Sequence, residues 1–141
     1  CAAGNSRYAP TENSINTAKV MLLQMKGYKA LQQPQIQAFQ SYLKQAIILE
    51  NKTNYPTGPP KIILPSFEQY GLWLLENKQF AEACAQFDKA LLRMPKRSQS
   101  LLGKMRALRA VNQASKALEV QHEIEQLFME ADSSAQMVLG L

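Results

Sequence analysis

The chain has 141 residues, of which 46% are hydrophobic, 19% charged and 8% aromatic, the composition of one globular domain rather than of a disordered segment. Its single histidine and two cysteines, Cys1 and Cys84, are too few for a zinc finger or a disulfide framework. Sixteen Lys and Arg against eleven Asp and Glu give a net charge of +5, and no apolar run is long enough to cross a bilayer.

The N-terminal residues predict a flexible leader over 1–13, because they are small or polar and show no periodicity. A cysteine followed by small residues is similar to the mature N-terminus of bacterial lipoproteins. That resemblance implies a lipid anchor at Cys1 and a place at the cell envelope or in the periplasm. The alternative is that Cys1 is the cut end of a longer chain, in which case we expect a cytoplasmic protein.

Apolar residues at three- and four-residue spacing predict helices along most of the remaining chain. Ser14 is expected to cap a first helix that begins near Ile15 and is broken by Pro34. A second helix follows and fades at about Asn51. A proline-rich connector over 55–65 then precedes a third helix capped by Ser66.

The second half of the chain predicts three more helices, over about 80–93, 98–110 and from 114 to about 132. Short polar segments or Pro95 separate them, and 133–141 is expected to be a weakly patterned tail. Basic residues dominate 89–109 and acidic residues dominate 117–132. We expect the helices that carry these two segments to attract each other.

Residues 64–97 carry a spaced pattern of small, aromatic and helix-breaking residues. The pattern consists of Phe67, Tyr70, Gly71, Leu74, Ala83, Phe87, Ala90 and Pro95. It resembles the 34-residue tetratricopeptide repeat. The resemblance implies a helix pair whose backbones approach closely at Gly71 and Ala83, with Phe67 and Phe87 filling the space between neighbouring pairs.

Two weaker copies of the pattern flank this repeat. Residues 98–131 keep Leu101, Leu108 and Ala117 but place Met105 on the Gly71 column, as a terminal repeat would. Residues 20–53 align when the connector is treated as an insertion, with Gly27, Leu43 and Ala46 on the Gly, Phe and final Ala columns. The predicted fold is all-α, a right-handed superhelix of about three antiparallel helix pairs in a domain over 14–132.

A narrower resemblance rests on the connector Gly58-Pro59-Pro60 and on Pro65 and Gly71 after it. These residues are similar to the C-terminal region of a group of bacterial tetratricopeptide proteins that share a Gly-Pro-Pro connector. The likeness supports the fold and implies no activity.

The tetratricopeptide resemblance implies a concave groove that holds a peptide or a partner subunit. By column, its residues would be Met21, Gln24, Tyr28, Glu68, Leu72, Leu102, Arg106 and Arg109. Arg106 and Arg109 would bind a carboxylate through their planar guanidinium groups. The alternative is that these arginines pair with the acidic sixth helix.

We find no phosphate loop, paired-carboxylate motif or metal-ligand spacing, so we expect neither an enzyme nor a cofactor or metal. Residues 88–120 lack aromatic side chains, which disfavours single-stranded nucleic acid as a partner. The leading hypothesis is a protein-interaction module. The alternatives are an envelope-tethered structural or assembly component and the regulatory end of a larger enzyme. The apolar residues 137–141 fit the last alternative or a homo-oligomer.

Overall fold

The computed structural model describes residues 9–53, 62 and 64–139, with side chains as far as Ala131. Cys1 and most of the predicted leader and connector lie outside these residues. The described residues form six helices and no strand, which confirms the all-α prediction. The helices are α1 (Glu12–Gln32), α2 (Ile36–Glu50), α3 (Ser66–Glu76), α4 (Phe80–Arg93), α5 (Ser98–Ala110) and α6 (Ala114–Leu139).

The two outermost helices extend further than the sequence pattern predicts. Thr11, not Ser14, is the N-cap of α1, and its hydroxyl accepts a hydrogen bond from the Ser14 N–H at 3.2 Å. Glu12 therefore lies in the first turn, where the helix dipole favours an acid. At the other end, α6 continues through 133–139, because neither glycine nor proline interrupts it before Gly140.

The chain divides into two compact units, 1–66 and 67–141. In the first unit, α1 and α2 enclose Val20, Ala46 and Ile62. Gly27 brings α1 close to Phe39, since a Cβ at Gly27 would lie 3.3 Å from the Phe39 ring. Phe39 thus occupies the crossing position at which the second hairpin carries Ala83.

Polar contacts complete the first unit around Ser66. The carboxylate of Glu50, itself buried, accepts the Ser66 N–H at 2.8 Å. The side-chain amide of Gln24 donates to the Leu64 carbonyl at 2.8 Å and to the Ser66 hydroxyl at 3.1 Å. Each of these buried polar groups therefore has a partner, as burial requires.

The core of the second unit centres on Phe87. Its ring lies between Gly71 on α3 and Gly103 on α5, where Cβ atoms would stand 2.9 Å and 2.3 Å from ring carbons. Leu74, Ala83 and Ala107 pack in the same cluster. Phe87 therefore fills the space between α3 and α5, the role that the resemblance assigns to it.

The three hairpins, α1–α2, α3–α4 and α5–α6, share one hydrogen bond at the end of their first helix. The N–H of Gln35, Gln79 or Gln113 donates to the carbonyl five residues earlier, at 2.9, 2.9 and 3.0 Å. Lys78 and Asn112, which lie 34 residues apart, both adopt left-handed backbone with φ near 60°. Lys78 and Asn112 also donate their N–H to the carbonyl three residues earlier, at 3.1 Å each, which completes a Schellman helix end in the second and third hairpins. Proline has no N–H, so the first hairpin lacks this second bond at Pro34.

The glycines predict a graded series of alanine substitutions. Each Gly→Ala substitution gains about 1 kcal/mol of helix propensity. Contact between the new methyl group and the facing ring therefore decides whether the substitution stabilises or destabilises the protein. We expect Gly27→Ala to be nearly neutral, Gly71→Ala to be destabilising and Gly103→Ala to cost about 2 kcal/mol or more in urea unfolding. Phe87→Leu should offset part of the Gly103→Ala loss in a double-mutant cycle. Equal stability of all three alanine variants would contradict the packing.

The left-handed backbone at Lys78 predicts that Lys78→Gly stabilises the protein. A side chain in left-handed backbone costs roughly 1 kcal/mol that glycine avoids, so thermal unfolding should move upward. Asn112→Gly should gain less, because asparagine tolerates this backbone. Lys78→Ala is the control and should not stabilise, because alanine retains the Cβ.

Candidate binding cleft

A cleft opens between α3 and α5 in the second unit. Its volume is about 290 Å³, and its lining residues are Leu72, Ser98, Gln99, Leu102, Gly103 and Arg106. All but Leu72 come from one face of α5, on which residues three and four positions apart are neighbours. We call this feature the α3–α5 cleft.

A buried ion pair fixes the two walls of the cleft relative to each other. Glu68, on α3 one turn before Leu72, is fully buried, and Arg97 binds its carboxylate with two parallel bonds, Nε to Oε2 at 2.7 Å and Nη2 to Oε1 at 2.8 Å. The Ser100 hydroxyl, in the first turn of α5, donates to the same carboxylate. We call these three residues the Glu68 clamp. Bidentate geometry makes it a strong and directional link between α3 and α5.

The lining of the cleft combines apolar surface with one cation. Leu72 and Leu102 are half-buried, and Arg106 is exposed. Among the residues that the structure describes, none pairs with Arg106 through an ion pair or hydrogen bond. No lining residue is acidic. The α3–α5 cleft is therefore suited to an apolar group that carries a carboxylate.

The size of the cleft limits what it can hold. At about 290 Å³ it lies just below the roughly 300–1,000 Å³ of sites that enclose whole small molecules. One or two side chains of a longer ligand match this volume.

Three residues predicted for the groove, Leu72, Leu102 and Arg106, come together in the cleft. Arg109 does not line it; its guanidinium donates to Gln121 of α6 at 2.8 Å, and Gln121 donates in turn to Glu125 at 2.8 Å. This contact matches the alternative interpretation, in which the arginine is held by the acidic helix.

Two predicted groove residues have little or no surface to offer a partner. Glu68 is enclosed in the clamp, and Gln24 is buried with its amide engaged by Leu64 and Ser66. Both are corrections to the expected groove, because both side chains are used inside the protein. Met21 and Tyr28 are exposed on α1 in the first unit.

Ser98, Gln99 and Gly103 line the cleft without having been predicted to do so. Gln99 precedes Leu102 and Arg106 by one and two helical turns, so its helical phase would have found it. Gly103 carries no side chain to predict a contact. Its place is set by the Phe87 ring beneath it.

Other reactive side chains lie outside the cleft. Burial raises the pKa of the Cys84 thiol, and nearby Asp88 raises it further, so the thiol stays protonated at neutral pH. His122 is exposed, with Nδ1 3.3 Å from a Glu125 oxygen. Across 9–53, 62 and 64–131, no three side chains of metal-ligating type form a cluster. Within the described chain, no helix has the length and hydropathy of a membrane span.

The Glu68 clamp predicts unequal effects of removing its two charges. Arg97→Met leaves a fully buried carboxylate unpaired and should cost about 3–5 kcal/mol in urea unfolding, whereas Glu68→Met leaves an arginine that can reach solvent and should cost less. The double variant should be more stable than Arg97→Met alone. Lys104→Met, which breaks the half-exposed pair with Asp88, is the matched control and should cost under about 1 kcal/mol.

We compared the chain with known families, curated proteins and solved structures. No family model, no curated protein and no solved structure matches the chain.

Proposed function

We propose that the chain is a protein-interaction module of tetratricopeptide type, with about three helix pairs in a right-handed superhelix. Its α3–α5 cleft would bind a protein or peptide partner through an apolar side chain next to a carboxylate. On this proposal the chain carries out no chemistry of its own.

Two observations support the repeat architecture. The three hairpins end their first helices with the same hydrogen bond, and Lys78 and Asn112 repeat the same backbone conformation after 34 residues. The Phe87 ring packs between the first helices of two successive hairpins, at glycines on both. Repeat proteins are stabilised by such nearest-neighbour interfaces.

The single observation that carries the ligand class is the unpaired guanidinium of Arg106 in a cleft that Leu72 and Leu102 also line. An arginine beside apolar surface binds a carboxylate more strongly than one in open water, because the surrounding dielectric is lower. Both sources of the carboxylate in a polypeptide, an acidic side chain and a chain terminus, share this chemistry.

The test is selection from a library of random peptides with free C-terminal carboxylates. Enriched sequences are then synthesised as C-terminal acids and amides, with and without internal Asp and Glu, and their binding is measured by fluorescence anisotropy. We expect the enriched peptides to contain an apolar residue next to a carboxylate. The Arg106→Glu substitution should lower their affinity at least about tenfold.

Arg109→Glu is the matched control, since it makes the same charge change one turn along α5 but outside the cleft. Its affinity should stay within about twofold of the unsubstituted chain. Circular dichroism checks that both variants remain helical. Failure to enrich any peptide, or equal loss in both variants, would rule out the cleft as the binding site.

A further inference from the structure

The outer face of α1 is apolar and unpartnered among the described residues. Leu22 and Met25 are 52% and 68% exposed, and Ile15 is exposed on the same face. Ile15 and Leu22 line a depression of about 330 Å³ with largely apolar walls, whose other lining residues are Pro10, Ser14, Ala18 and Lys19. Exposed apolar surface of this kind on a helix marks a site of interaction with another molecule.

The same face of α1 is basic. Lys19 and Lys26 are exposed beside the apolar residues, Lys29 follows one turn later, and no acid occurs in α1 after Glu12. A partner for this face must therefore offer apolar side chains together with negative charge.

The chain itself supplies a surface of that chemistry on α6. Phe128 and Met129 are 57% and 70% exposed, and Leu118 is exposed further up the helix. Exposed acids accompany them, with Glu119 and Glu125 near these apolar residues on the helix surface, and no Lys or Arg follows Lys116. Ile15 to Met25 and Leu118 to Met129 each span about 15 Å of helix, so the two faces match in length.

We propose that the outer face of α1 binds α6 of a second copy of this chain. The exposed apolar residues of α6 fill the depression on α1, and its glutamates face Lys19 and Lys26. The contact is head to tail, because two different surfaces meet. An assembly that does not close into a ring therefore keeps one free α1 face and one free α6 face. One helix against another buries less than the roughly 1,200 Å² of a standard interface, so association should depend on concentration.

Sedimentation equilibrium of the full chain at low salt provides the test. We expect the weight-average mass to rise with concentration and to fall when salt is added. Lys19→Glu with Lys26→Glu, or Glu119→Lys with Glu125→Lys, should each raise the dissociation constant at least about tenfold. An equimolar mixture of the two double variants should associate again, because the reversed α1 of one faces the reversed α6 of the other.

Lys44→Glu with Lys52→Glu is the matched control, with the same charge change on exposed residues elsewhere in the first unit. It should associate like the unsubstituted chain, and circular dichroism should show all variants equally helical. A chain that stays monomeric at every concentration overturns the proposal, as does association insensitive to the α1 reversal or a mixture that fails to recover it.

Discussion

The second unit depends on one aromatic ring held between two glycines. Phe87 can lie between α3 and α5 only because neither Gly71 nor Gly103 presents a Cβ to it. The close approach buries the ring completely. Fully burying a phenylalanine contributes roughly 1.5–3 kcal/mol, and the absence of side chains at the glycines keeps this from being lost to strain. The spacing of α3 and α5 at the cleft follows from this contact.

The Glu68 clamp acts on the same two helices by a different force. Apolar packing sets how closely α3 and α5 approach, but it tolerates rotation and sliding. The two parallel bonds from Arg97 and the third from Ser100 fix the register, because each requires a specific donor position. A buried ion pair is weak evidence for net stability, since desolvation offsets much of its attraction. Its contribution here is the alignment that brings Leu72 opposite Leu102 and Arg106.

The sequence predicted the helices well where breakers mark their ends and less well where they do not. Pro95 and the polar turn at 77–79 bound α4, whose observed limits agree with the prediction. Thr11 and Ser14 are both good caps, so composition alone could not choose between them. The resemblance to tetratricopeptide repeats assigns Glu68 to the groove, because the first helix of each pair lines the concave side in those proteins. The arginine that buries it comes from beyond the next helix, a contact between residues 29 positions apart that periodicity does not report.

Gly103 is a second residue whose contact the sequence pattern does not predict. Alignment by 34 residues places Met105 on the Gly71 column, so the sequence predicts that the third hairpin lacks a small residue at this position. In the structure the small residue is Gly103. It contacts the ring of Phe87, which belongs to the preceding hairpin and not to the hairpin of Gly103 itself. A repeat pattern predicts contacts within one hairpin better than contacts between neighbouring hairpins. A contact between hairpins can move to another position along a helix and still bury the same ring.

The polar contacts of the basic residues change how the net charge of +5 is interpreted. Of the basic residues over 89–109, at least four have polar partners within the second unit: Lys96 binds Glu130, Arg97 binds Glu68, Lys104 binds Asp88 and Arg109 binds Gln121. The basic segment is therefore held largely by its own fold rather than presented as a continuous cationic surface. Binding to a polyanion depends on many such charges acting together. A cleft with one unpaired arginine and apolar walls instead favours a ligand with a single, well-placed negative group.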